Sequence, residues 1–244
     1  MLHIISLGLF DKKDISVKGL EICKKCDFLY LEKYTNFFDS NAKELEEFIG
    51  KKIIEIKREN LENKSLELIK KAKNSDIGIF IPGDCFSATT HISLLLEARK
   101  MGVELNVVHG SSVLTAIGET GLSLYNFGKI TTIPFDNKNV KSPIEVLKNN
   151  RKLGMHTLFL LDVKENRLMS INGGLKYLLE NKIDENTLIV GCCGLGSEKK
   201  EIRAGKIKDL IDYEFKIYPQ CFIIPGKLHF TEEEALEMFG LENS

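Results

Sequence analysis

IFIPGDCFSATTH, residues 79–91, is the stretch on which the reading of this chain turns. From Ile77 to Ile81 four of five residues are apolar, the pattern of a strand buried on both faces. Pro82-Gly83 breaks the run, Asp84 follows, and helical spacing resumes beyond it. A polar group is thus held just past a strand end, where open α/β sheets bind their ligands. An ordinary strand-to-helix turn, with Asp84 as the helix cap, would leave the same trace.

Outward from this stretch, strands and helices alternate. HIISLGL (3–9) reads as a buried strand, followed by a helix over 15–25 capped by Asp14 or Ser16. FLYLE (28–32) is the next strand, and 33–41 is an aromatic-bearing loop. A charged helix over 42–49, the strand KIIEI (52–56) and a helix over 61–73 lead to the opening stretch. A helix over 89–100 follows, then VELNVVH (103–109), a helix from Gly110-Ser111-Ser112, and ITTIP (130–134), which closes this half. Such alternation implies a mostly parallel sheet covered on both faces.

The polar run FDNKNVKS (135–142) marks a boundary, giving domains 1–135 and 136–244. The second half starts with a helix at Ser142-Pro143, serine as cap and proline first in the helix. The strand 157–163, a helix over 174–180, the strand 187–193, a helix over 204–211 and the strand 221–225 follow. A last helix over 231–239 has Thr231 and Glu234 as its capping box. The fold class is α/β, in two halves with a ligand cleft expected between them.

Composition narrows the function. Hydrophobic residues make up 43% and charged residues 28%, ordinary for a globular protein. Net charge is −1 with both signs interleaved, so no basic face for nucleic acid is expected. No uninterrupted apolar run reaches the ~18 residues of a membrane span. The first residues lack the basic flank and cleavage site of a signal peptide.

Cys23 and Cys26 form C-x-x-C, but Val17, Leu20, Cys23 and Cys26 recur every three residues, placing both sulfurs on a buried helix face. Zinc needs about four ligands, and Cys192-Cys193 is adjacent rather than spaced. The five histidines show no ligand spacing either, and His91 and His109 read as structural, so no metal is expected. Free thiols suit a reducing cytoplasm.

Dinucleotide, phosphate-loop and nucleophile-elbow motifs are missing. What remains are strand-end loops with small residues: Leu7-Gly8-Leu9, Pro82-Gly83-Asp84, Gly110 to Val113, and Gly194 to Ser197. Glycine there lets main chain approach a ligand.

Longer segments carry a resemblance. LGLFDKKDISVKGLEICKKCDFLYLEKYT (7–35), IPGDCFSATTHISLLLEARKMG (81–102), VVHGSSVLTAIGETGL (107–122), LYNFGK (124–129), HTLFLLDV (156–163), EIRAGKIKDLI (201–211) and IPGKLHF (224–230) are similar, end to end, to the diphthine synthases. These belong to the tetrapyrrole-methylase-like class III of S-adenosylmethionine-dependent methyltransferases.

The resemblance implies two αβα domains, a folded S-adenosyl-L-methionine in the cleft, and a cytoplasmic homodimer. It implies methylation of the amino group on the 3-amino-3-carboxypropyl-histidine of translation elongation factor 2. It places Leu9, Asp84, Ser87, Ser112, Val113, Val163, Leu195, Ser197 and Phe222 against the cofactor. It names no catalytic base.

The chain departs from the family where a usual proline is Cys85, a usual valine is Ser87, and the loop before Ser112 reads His-Gly-Ser. Tyr34, Phe37 and Phe38 are candidates to stabilise the cationic product, or else cover the core. A methylase of corrin or tetrapyrrole precursors, and a non-catalytic adenosyl-ligand-binding module, are the competing readings.

Overall fold

The computed structural model describes residues 1–32, 37–57, 65–164 and 167–241. The chain divides into two units, Met1–Leu114 and Thr115–Ser244.

In the first unit the order is β1 (Leu2–Ser6), α1 (Val17–Lys25), β2 (Phe28–Glu32), α2 (Ala42–Ile49), β3 (Ile53–Ile56), α3 (Ser65–Lys71), β4 (Ile77–Ile81), α4 (Ile92–Lys100) and β5 (Leu105–Val108). The sheet runs β3-β2-β4-β1-β5, and every pair is parallel. Parallel neighbours cannot be joined by a tight hairpin, so helices carry the chain back across a face. Leu2, Ile4, Ile77 and Ile79 pack one way, with Ile69 of α3 and Leu94 and Ala98 of α4. Ile5, Leu29, Leu31 and Phe80 pack the other way, with Cys23 of α1 and Leu45 and Ile49 of α2. Burial on both faces is why these strands are apolar throughout. Each fully buried Leu, Ile or Phe contributes about 1.5–3 kcal/mol. The α1 cap, Ser16 Oγ accepting from Gly19 N at 3.1 Å, adds about 1 kcal/mol.

Cys23 and Cys26 lie in this core, as their spacing predicts. Burial, first of all, pushes their thiols up to about 12 and about 11. Such thiols are inert packing groups.

A short helix, α5 (Val113–Ala116), carries the chain into the second unit. There follow β6 (Thr131–Ile133), α6 (Ser142–Lys152), β7 (Thr157–Leu161), β8 (Val163–Lys164), β9 (Arg167–Leu168), α7 (Ile171–Glu180), β10 (Leu188–Cys193), β11 (Glu201–Lys206), α8 (Ile207–Leu210), β12 (Gln220–Ile224) and α9 (Phe230–Glu237). The sheet order is β11-β10-β12-β7-β6. Only β6 and β7 run parallel; the other pairs are antiparallel. Phe159 and Phe222 stack at 4.8 Å in a core with Ile144 and Leu147 of α6 and Leu175 and Leu178 of α7. The hairpin β8–β9 leaves the end of β7.

Four readings of the sequence are corrected. The strand at 131–133 does not close the first half but pairs with β7, so the polar run after it is a loop within the second unit. EIRAGK is an edge strand on β10, and the helix read from Ala204 starts at Ile207. Ser142 lies inside α6, whose N-cap residue Lys141 makes no side-chain capping bond. The last helix is capped by His229 with Glu232, not by Thr231 with Glu234.

Candidate functional site

The first unit brings three strand ends together. Leu7 N donates to Ile81 O at 2.8 Å, and Gly8 and Gly83 exchange main-chain bonds at 3.1 and 2.7 Å. Gly8 has φ +89°, and a Cβ there would lie 2.5 Å from Asp14 Cβ, so only glycine fits. The loop after β5 is equally close: a Cβ on Gly110 would stand 2.8 Å from Ser6 Cβ.

Asp84 organises this edge. Its Oδ1 accepts from Phe86 N at 3.0 Å and Ser87 Oγ at 3.2 Å. Its Oδ2 accepts from Gly110 N at 3.3 Å and faces His109 Nδ1 at 2.9 Å. Burial alone would raise the carboxyl, but the bonds from His109, the Phe86 and Gly110 amides and Ser87 outweigh it and hold the group below its ordinary value. The acid therefore stays ionised and ties the β4 turn to the β5 loop. Its lone pairs are committed to donors of the protein.

Cys85 N donates to Ser6 Oγ at 3.0 Å, a bond that a proline at 85 could not make. The Cys85 thiol is fully buried, and that burial pushes it up. Asp84, Cys85 and His109 bring ligand-type atoms within 4.8 Å of one another. With the carboxylate fully hydrogen-bonded and the thiol neutral, the set is a hydrogen-bonded network rather than a metal cage.

The remaining expected residues of this unit sit on the same loops. Leu9 is half-buried just beyond Gly8. Ser87 turns its hydroxyl inward to Asp84. Ser112 is buried, and its Oγ accepts from Leu114 N at 3.2 Å. Val113 opens α5.

In the second unit, Val163 pairs with Leu168 in the hairpin. Leu195 is buried; Ser197 Oγ accepts from Lys199 N at 3.2 Å. The Phe222 ring lies in the core, stacked on Phe159.

Of the aromatic candidates, Phe38 is buried in the core of the first unit. Phe37 lies 6.2 Å from the Phe10 ring, and Tyr34 lies outside the described residues. Sequence reasoning missed two members of the site, Ser6 and His109. His109 ends a strand beside a glycine, the one local hint of a ligand-facing place, and its tie to Asp84 spans 25 residues.

A parallel sheet with glycine-lined strand ends and an ionised acid behind them defines the class. Residues 1–211 match the family model described as Tetrapyrrole (Corrin/Porphyrin) Methylases, and the chain belongs to that family. Its relatives there are diphthine synthases. That of Methanocaldococcus jannaschii is 43% identical, over 97% of this chain and 98% of the relative. That of Methanococcus maripaludis is 43% identical over the same shares. A crystal structure of diphthine synthase superposes with a TM-score of 0.93 at 36% identity, covering 98% of this chain and 95% of the other.

Proposed function

We propose that this chain is an S-adenosylmethionine-dependent methyltransferase of the diphthine synthase kind. Its substrate is the amino group of the 3-amino-3-carboxypropyl-histidine on translation elongation factor 2, and its product is diphthine. The observation that carries this reading is the 43% identity to a diphthine synthase along 97% of the chain.

The residues present fit the methyl donor. Gly8 and Gly110 let the ends of β1, β4 and β5 pack closely where a Cβ would strike Asp14 or Ser6, so main-chain groups rather than side chains are presented there. Leu9, Ser112 and Val113, with the loop that Asp84 and Ser87 shape, would hold it in the first unit. Val163, Leu195, Ser197 and the main chain at Phe222 are the second unit's proposed share. The bound donor supplies a methyl group on a sulfonium centre.

The protein must align the amine, keep it neutral and exclude water. Alignment alone lowers such barriers by up to about 7–11 kcal/mol. The substrate amine stands beside a free carboxylate, which holds it above the chain-terminal range of about 7.7–8.0, so it is mostly ammonium at physiological pH. The chain acts as a homodimer in the cytoplasm. All six cysteines are free, as a reducing compartment requires. Among the described residues no helix is long and apolar enough to cross a membrane.

The test is methyl transfer from labelled S-adenosylmethionine to elongation factor 2 bearing the modified histidine, read by mass. Transfer to a corrin or tetrapyrrole precursor instead would reassign the substrate within the family. Donor binding without any transfer would leave a binding module. Light scattering of the purified protein tests the dimer.

A further inference from the structure

The amine that attacks a methyl donor must be neutral, and after every transfer short of the quaternary product it is again an ammonium with a proton to lose. A proton acceptor at the site would speed each such step. The Asp84–His109 pair has the form of one. Asp84 is buried while the His109 side chain is 69% exposed. The ionised carboxylate accepts from Nδ1 at 2.9 Å, so the ring proton sits on Nδ1 and Nε2 carries the open lone pair. The Phe86 ring, 6.2 Å away and edge-on, flanks the imidazole.

The titratable groups placed against the ring are Asp84 and Cys85, whose sulfur lies within 4.8 Å of the other two groups' donor atoms. Burial keeps the Cys85 thiol protonated. The ring thus stands beside one fixed anion, Asp84. A buried carboxylate that fixes tautomer and orientation is how acid–imidazole pairs make a proton acceptor in other enzymes.

We infer that His109 is the catalytic base that takes the proton from the substrate amine, with Asp84 as its positioning residue. The inference rests on the methyltransferase reading above. In the step, an N–H bond of the substrate ammonium breaks and its electron pair stays on the amine nitrogen. The proton bonds to Nε2, giving imidazolium, which then releases it to solvent before the next transfer.

The sharp variant is His109→Asn. Its amide nitrogen can still donate to Asp84, but it has no basic lone pair. His109→Ala, assayed with and without imidazole, is the second. Three readouts are taken on the full-length protein: affinity for S-adenosylhomocysteine by calorimetry, the pH profile of single-turnover transfer to modified elongation factor 2, and the ring-nitrogen shifts of His109 by NMR.

The expected result is unchanged S-adenosylhomocysteine affinity in H109N, with transfer at pH 7 slowed about 100-fold or more. The deficit should shrink as pH rises through the amine's own titration, above the chain-terminal range of about 7.7–8.0, where solvent deprotonates it. Imidazole should restore part of the H109A rate, and NMR should show the Nδ1–H tautomer in the wild type.

Wild-type transfer rates in H109N at pH 7 overturn the inference. So does a loss that is equal at every pH, unrescued by imidazole and matched by weakened S-adenosylhomocysteine binding, because that is a loop-holding role. No transfer by the wild type itself overturns the substrate reading, and this inference with it.

Discussion

Replacing Glu232 with glutamine should destabilise the second unit far more than its single-atom change suggests. Glu232 is 2% exposed and His156 is 0% exposed. Glu232 Oε1 accepts from Ser123 N at 2.8 Å and from His156 Nε2 at 3.1 Å. Its Oε2 accepts from His229 N at 2.9 Å. His156 Nδ1 in turn accepts from Gly226 N at 2.9 Å, which forces the ring proton onto Nε2.

Every group facing the carboxylate is therefore a donor. Glutamine offers one carbonyl oxygen and one NH2. If the oxygen serves Ser123 and His156, the NH2 meets the His229 N–H; if it serves His229, the NH2 meets two donors. At least one bond to a charged group is lost, worth about 1.5–3 kcal/mol, and a buried donor is left unpaired. The expected loss is about 2–4 kcal/mol. At about 2–4 °C per kcal/mol for a chain of this size, the midpoint should fall by about 4–16 °C.

The pH dependence has a definite sign. Burial would raise the Glu232 carboxyl, but the His229 and Ser123 amides and His156 outweigh it and hold it low. A depressed carboxyl stabilises the fold above its unfolded value of about 4.3, and that stability drains away as pH falls through the lower folded value. The wild type should thus lose stability with acid faster than Glu232→Gln. Urea denaturation at pH 7 and across the acid range measures both. A variant within about 0.5 kcal/mol of wild type at pH 7, the range of an ordinary surface change, would refute the account of this network.

Asp84→Asn should weaken S-adenosylhomocysteine binding about 10- to 100-fold, the scale of one charge-assisted network bond or two, measured by calorimetry; unchanged affinity would refute its place behind the site. Gly110→Ala should cost about 1–3 kcal/mol of stability and reduce donor affinity, because the new methyl would stand 2.8 Å from Ser6 Cβ; a thermal melt and a titration decide it. The native protein should resist a thiol reagent at pH 8 and react at all six cysteines once unfolded, since every one is buried. Rapid labelling of the folded chain would contradict the packing.

The first unit was legible because its sheet is parallel and covered on both faces. Continuous apolar runs such as IGIFI, broken by helices at regular intervals, admit few other arrangements. The second unit was harder to read. Thr131–Ile133 follows the strands of the first unit in sequence, and only its pairing with β7 reveals its sheet. Glu201–Lys206 mixes charged residues with Ile202, Ala204 and Gly205 at a sheet edge and runs straight into a helix, so its strand character is masked.

Asp84 was readable from the turn around it, because a strand end, Pro-Gly and an acid are adjacent in the chain. His109 was not, because its role depends on a partner 25 residues away. Phe38 left two readings open, a loop aromatic beside the cationic product or cover for the core, and it packs in the core with Leu45 and Ile49.

The central claim is tested most directly by incubating the protein with labelled S-adenosylmethionine and elongation factor 2 carrying the aminocarboxypropyl-histidine, then mapping the added mass. The account predicts methyl groups on the amino nitrogen of that side chain and nowhere else. Label on another molecule, or none on the modified histidine while S-adenosylhomocysteine still binds, would contradict it.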